Sequence, residues 1–389
     1  MWSSLKTYTI ALALVLLSIP VLQEVLYDRS LEIIRAMKPY QTPVLTDLMN
    51  LFSFLGDGEV FFLCNLVMFM LGLVDAFKYL SITFGMALHW VTWLKMQLCH
   101  SRPQFDDPSI GIVNASSFCS GEFGNPSGHS LLTSFYLFTL LFYFQPFKKN
   151  ACANRLLWAV AYLYVACVCF CRLYLGRHSL DQITLGLTIG TISAYFCVDC
   201  FQKYLYEPIF YPKANENPKI SAQRSRNAFL VSSAIFVALS FKMTGLYLWV
   251  DANNVIPPQW LDSVISSCPK FKKSHLFHHF SMANTGFVAV IPFTYMWNYF
   301  KHAAWSEHGR PKDVATGSIP SWCLMTGARA FMLLLGEHVI TDRLPILICG
   351  TKDLEPFHDF AKNFVLVLYI TWLTEPFSEW LKHSKLAQV

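Results

Sequence analysis

Three polar motifs stand in order between strongly apolar runs: Lys95-Met-Gln-Leu-Cys-His-Ser-Arg102-Pro103, Asn125-Pro-Ser-Gly-His129 and Arg172-Leu-Tyr-Leu-Gly-Arg-His178. A charge at the centre of a membrane helix costs roughly 2.5–3.5 kcal/mol, so chains keep such charges for function or place them near helix ends. Here the cations and histidines fall where apolar runs begin or stop. That pattern describes an anion site at a membrane face.

Composition sets the class. Of 389 residues, 54% are hydrophobic and 14% charged, against about 25% charged in ordinary globular chains. The expected fold is an all-α integral membrane protein of about ten transmembrane helices. The net charge of +5 carries no nucleic-acid signal, so the bilayer is the expected partner and nucleic acid is not. Cys167, Cys169 and Cys171 alternate along one expected helix and cannot share a face as metal ligands would. Cys197 and Cys200 have the gap of a redox pair but end an apolar helix, where cysteine behaves as a small buried apolar residue.

Working outward, the expected spans run over 7–26, 58–75, 78–98, 129–146, 155–175, 180–202, 227–249, 280–300, 317–338 and 360–381. Each is close to the ~20 residues that cross ~30 Å of hydrocarbon. In the first, Gln23-Glu24-Val25 follows the apolar run from Tyr8 to Leu22 where a small-residue cleavage site would stand, so it reads as an uncleaved span. Residues 29–55 mix Arg29, Arg35, Lys38 and Asp47 with apolar residues and suit a surface-lying segment. The resulting organisation is an N-terminal span with an interfacial segment over 1–57, a core over 58–202 with the three motifs, a cytoplasmic basic loop over 203–226, and a C-terminal region over 227–389 of about four spans. Lysine and arginine placement puts both termini and the loops 147–154 and 203–226 on the cytoplasmic side, against the opposite sense of Lys270, Lys272 and Lys273. All three motifs then face the lumen or the outside. The Asn114-Ala-Ser116 sequon falls in the motif loop and is a candidate glycosylation site that requires the same face.

Each motif has a chemical reading. If the helix stays regular past Lys95, Lys95 and Arg102 lie two turns apart on nearly one face, and Pro103 ends it. An arginine fork suits phosphate oxygens and a lysine adds a point charge. In the second motif Asn125 fits an N-cap and Pro126 the first helical position. Ser127, Gly128 and His129 then expose the backbone N–H groups of a first helical turn, a ready anion site, and His129 can give a proton to a leaving oxygen. In the third motif six helical residues turn the direction by about 240°, so Arg172 and His178 meet only if the chain turns at Gly176. A neutral His178 can attack phosphorus if its second ring nitrogen is oriented, with Asp181 and Gln182 the nearby candidates. The spacing calls for no metal and no cofactor. His275-x-x-His278-His279 looks metal-like but lies in a basic loop without a carboxylate partner.

The triple pattern resembles the type 2 phosphatidic acid phosphatase superfamily, which includes lipid phosphate phosphatases, sphingosine-1-phosphate phosphatases, glucose-6-phosphatases and vanadium haloperoxidases. The resemblance covers 58–202. It implies a helical bundle and metal-free phosphoryl chemistry, with His178 as nucleophile, His129 as the acid, and Lys95, Arg102, Ser127, Gly128 and Arg172 holding the phosphoryl oxygens. Two positions depart from it. Cys171 stands where a serine usually precedes the arginine, and Gln182 where many members carry aspartate, as also in the glucose-6-phosphatases. The implied activity is a phosphomonoesterase acting at a lumenal site on a lipid phosphate, a long-chain base phosphate such as sphingosine 1-phosphate or phosphatidate. A sugar phosphate hydrolase and a non-catalytic anion binder are the alternatives.

Overall fold

The computed structural model describes residues 2–110, 121–145, 149–211 and 216–267, and between 288 and 300 the residues 288, 290–292, 294–296 and 298–300. Every regular element among them is helical. In chain order these are α1 (Trp2–Met37), α2 (Pro43–Leu55), α3 (Gly58–Met70), α4 (Val74–Leu98), α5 (Pro103–Asp106), α6 (Gly128–Phe144), α7 (Ala151–Tyr174), α8 (Leu180–Phe196), α9 (Glu207–Phe210), α10 (Pro218–Asn253) and α11 (Pro258–Ser267), with a π-helical stretch over Cys197–Tyr206.

The chain divides into two compact units. The first holds Met1–Leu63, Trp90–Gln202 and Gly245–Ser281, and so all three motifs. Its centre is the pair α6 and α8, with α1 against α8 and α2 and α6 against α7. Small residues allow the central pair to approach. A β-carbon on Gly190 would meet Leu131 O at 2.4 Å and Ser134 Oγ at 2.3 Å. Without a hydrophobic driving force between lipid-bathed helices, such close packing is what holds them together. The start of α8 depends on α1, because Ser30 Oγ accepts from Leu180 N at 2.8 Å. One of the four orphan donors of that helix is thereby satisfied from another element.

The second unit holds Cys64–His89, Lys203–Thr244 and Met282–Val389. Within it, Tyr206 Oη donates to Asp75 O at 3.2 Å and its ring meets Tyr79 edge-on, with centroids 5.2 Å apart. Asn298 Nδ2 donates to Ile209 O at 2.8 Å.

The all-helical reading of the sequence holds among the described residues, where the expected count of about ten spans is not confirmed. Among the described residues four helical stretches are long and apolar enough to cross a membrane: Ser3–Tyr40, Ala151–Tyr174, Leu180–Phe210 and Pro218–Asn253. A fifth is added if α2 and α3, bent by 52°, form one broken span. The expected spans at 317–338 and 360–381, and most of 280–300, lie outside the described residues. In α1 and α10 only 6% of the apolar window is buried by protein, against 39% and 44% in the stretches of α7 and α8. A long apolar face left uncovered has lipid as its natural solvent, and the chain is an integral membrane protein.

Three boundaries differ from expectation. The first helix does not stop at 26 but continues to Met37, where Arg35 pairs with Asp107 at 2.7 Å. Residues 43–55 do not lie free on a surface, since α2 packs on α7 and buries Met49 and Ser53. The stretch expected as a basic loop is helical to Phe210 and again from Pro218.

Candidate active site

Lys95 sits in the last turn of α4 and is buried, as is Arg102. They do not share a helical face. The helix stops at Leu98, Cys99 adopts φ 48°, and Arg102 is extended at φ −100°, ψ 152° as the residue capping α5. A proline disfavours helical geometry in the residue before it, which accounts for the extended Arg102. The loop, not the helix, brings the two cations together. The Arg102 fork is heavily used: Nε donates to Glu122 O at 2.7 Å, and NH1 lies 3.3 Å from Arg177 O and 3.1 Å from His178 Nε2.

The second motif starts its helix later than its spelling suggests. Ser127, not Asn125, is the N-cap, with Oγ accepting from Ser130 N and α6 beginning at Gly128. Asn125 instead pairs its Nδ2 with His100 Nδ1 at 3.1 Å. Gly128 stands beside the lysine, since a β-carbon there would lie 3.8 Å from Lys95 Nζ. His129 follows in the first turn, 3.7 Å from Asp57 Oδ2 across the bend between α2 and α3, with 21% of its side chain exposed.

The third motif folds as the spacing requires. α7 ends at Tyr174, Gly176 takes φ +65°, and the N–H groups of Arg177 and His178 both return to Arg172 O at 3.0 and 3.3 Å. That left-handed residue is readily glycine. Arg172 NH1 donates to Ser53 Oγ of α2, while its buried Nε has no acceptor among the described residues. Arg177 NH1 donates to Gln104 Oε1 at 3.0 Å.

His178 is 1% exposed and its tautomer follows from its neighbours. Gln182 Nε2 donates to Ser101 O at 2.7 Å, which turns Oε1 toward His178 Nδ1 at 3.0 Å. An amide oxygen only accepts, so the proton resides on Nδ1. Nε2 then carries a lone pair, and Arg102 NH1 donates to it at 3.1 Å. Burial and the charges of Arg102, Arg172 and Lys95 hold this imidazole well below its ordinary pKa, hence neutral at pH 7. Asp181, the other candidate partner, is buried in the first turn of α8 and has no hydrogen bond to His178.

One anion sits among these cations. Glu122 Oε2 pairs with Lys95 Nζ and lies 3.8 Å from Arg102 NH2. Burial would raise its carboxyl pKa; Lys95, Arg102 and Arg172 outweigh that and hold it below the ordinary carboxylate value. Sequence reasoning missed Glu122, Asp57 and Ser53. Glu122 had a signal, being the sole acid between Asp107 and His129. Asp57 and Ser53 had none, because only folding brings α2 and the bend after it to the motifs. Asn114 lies outside the described residues, as do His275, His278 and His279.

Comparison with known proteins points the same way. Residues 76–206 match the PAP2 superfamily model. A dihydrosphingosine 1-phosphate phosphatase of Saccharomyces cerevisiae is 24% identical over 159 residues, which are 40% of this chain and 38% of that protein. A dolichyldiphosphatase of the same yeast is 31% identical over 94 residues, 23% of this chain and 39% of that protein. The chain thus spans less than two fifths of the length of each of these curated relatives. No solved structure matches. All three motifs lie inside the matched segment, and the chain carries a PAP2 superfamily domain over residues 76–206.

Proposed function

We propose that this protein is a membrane-embedded phosphomonoesterase that needs no metal and hydrolyses a lipid phosphate, a long-chain base phosphate such as sphingosine 1-phosphate or phosphatidate. The observation that carries the reading is His178: Nδ1–H is committed to Gln182, so the lone pair lies on Nε2, where it accepts from Arg102 NH1 until a phosphoryl group engages that guanidinium. Simple anion binding has no use for a buried neutral imidazole held in one tautomer. Reaction as a nucleophile does.

In the first step the Nε2 lone pair forms an N–P bond and the P–O ester bond breaks, its electrons going to the departing alkoxide. Burial and the charges of Arg172, Lys95 and Arg102 hold the His129 pKa down before the phosphate enters. The entering phosphate offsets those cations, and His129, then protonated, gives the departing oxygen its proton as the lipid alcohol leaves. In the second step His129, now neutral, takes a proton from water as the hydroxyl oxygen attacks phosphorus. The N–P bond breaks, its electrons return to Nε2, and inorganic phosphate departs. Lys95, Arg102 and Arg172 offset the phosphoryl charge throughout, with Ser127 and Gly128 at the start of α6 beside them. Three fixed cations supply the neutralisation for which many phosphatases use metal ions. Asp181 contributes only by complementing the first turn of α8, and Gln182 takes the orienting role.

The reading places the site at the lumenal face of the endoplasmic reticulum membrane. A glycosidase-sensitive mass shift lost in Asn114→Gln checks that side. For the activity, membranes holding the protein are given dihydrosphingosine 1-phosphate, phosphatidate and glucose 6-phosphate in excess chelator. Phosphate release from a lipid, a labelled phosphoenzyme that is acid-labile and alkali-stable, and loss of both in His178→Ala by about 10⁴-fold or more are expected. Faster turnover of glucose 6-phosphate than of either lipid moves the substrate to the sugar class. Release that survives His178→Ala sinks the mechanism.

A further inference from the structure

Glu122 occupies the place a phosphoryl group needs. Its carboxylate is paired with Lys95, near Arg102, and within the field of Arg172. These are three of the residues whose charges would hold the phosphate. Two anions cannot share those cations without strong repulsion, so an entering phosphate displaces the carboxylate. The backbone around Glu122 does not leave with it. Arg102 Nε is bonded to Glu122 O at 2.7 Å, and Gly124 N to His100 O at 2.8 Å. The displaced side chain therefore stays at the rim of the site, where 30% of it already meets the outside.

There the carboxylate has lost its cations and faces a phosphate dianion. A substrate that brings a cation of its own relieves both problems. A long-chain base phosphate does so, since its ammonium is on the carbon next to the one bearing the phosphate ester. Phosphatidate has no cation there. Resting on the phosphatase reading above, we propose that Glu122 is a specificity residue: it fills the empty phosphate subsite, and when the phosphate displaces it, it accepts the ammonium of an amine-bearing phosphate ester. The substrate class is then the 2-aminoalkyl phosphates of long-chain bases, and phosphate esters without an amine are discriminated against.

The test compares two esters that differ only at nitrogen, dihydrosphingosine 1-phosphate and its N-acetyl derivative, in the full-length protein in membranes. The wild type should prefer the free amine in kcat/KM by roughly tenfold or more, the value of about one charge-assisted contact. Glu122→Gln and Glu122→Ala should erase that preference, chiefly by raising turnover of the N-acetyl ester. Tighter inhibition of both variants by orthovanadate would show that their cations still form a pocket. A wild type indifferent to the amine overturns the proposal without any variant. So does a preference that persists in a vanadate-sensitive Glu122→Gln. Either of those leaves the phosphatase reading standing, whereas a wild type that releases phosphate from no ester overturns both.

Discussion

His178 and His129, to which the proposed reaction gives separate tasks, are held in opposite ways. His178 is 1% exposed, with one ring nitrogen fixed by Gln182 and the other met by Arg102. The side chain of His129 is 21% exposed, and its nearest acid, Asp57, stands at 3.7 Å, outside hydrogen-bond range. The difference suits the two proposed tasks. A nucleophile must present one lone pair in one direction at every encounter, so fixing its tautomer is an advantage. An acid that becomes a base half a cycle later must exchange its proton with a leaving group and then with water. Rigid burial with a permanent partner would hinder that.

Breaking each side in turn tests the contrast. With the His178 ring itself left in place, the largest effect should come from His129→Ala, with the loss depending on the leaving group. On an alkyl ester such as dihydrosphingosine 1-phosphate, phosphoenzyme formation should slow by about 10²–10⁴-fold. On p-nitrophenyl phosphate, whose phenolate needs no proton, that step should change little, as single-turnover labelling would read. Equal loss on both esters would place His129 in binding instead. Next comes Gln182→Ala, which frees the tautomer and tilt of His178 and should cost roughly 10²-fold in phosphoenzyme formation. Here both esters should suffer alike, because the fault lies in the nucleophile.

Smaller effects follow. Asp57→Asn removes a half-exposed charge from His129 and should cost about two- to fivefold, more on the alkyl than on the aryl ester. The smallest concerns pH. Protonation removes the nucleophile, and the pKa of His178 is held well below 6.5. The reactive neutral form therefore persists as pH falls through 6.5 and is lost only below the lowered value. Phosphoenzyme formation with p-nitrophenyl phosphate in the His129→Ala background should fall by less than about twofold between pH 7 and 5.5, a range over which an imidazole of ordinary pKa would lose about eightfold of its neutral form. A fall centred at 6.5 would mean that the cations around His178 do not act on it.

Much of this site was legible in the chain. Lys95, Arg102, Ser127, Gly128, His129, Arg172 and His178 announce themselves by charge or turn chemistry at the edges of apolar runs, and Gly176 marks the turn that lets Arg172 and His178 meet. Local geometry was less secure. Asn125 reads as a cap as well as Ser127 does, because both side chains can accept from a helix N-terminus. Helical continuation from Lys95 to Arg102 was the simpler path to convergence, and a left-handed Cys99 replaced it with a loop. Spans were counted from apolar windows alone, a measure that does not separate a lipid-facing helix from a shorter one packed in protein, such as α6.

By itself the sequence determined an all-helical membrane chain with a cationic, two-histidine site, because burial cost forbids such charges at random among apolar runs. Only the tertiary structure decided the partners: Gln182 rather than Asp181 for His178, Ser53 for Arg172 and Glu122 for Lys95, with Asp57 left 3.7 Å from His129. Side chains one position apart on a helix point about 100° apart, and residues on different elements meet only after packing. Which neighbour finishes a hydrogen bond is therefore a property of the fold and not of the spacing.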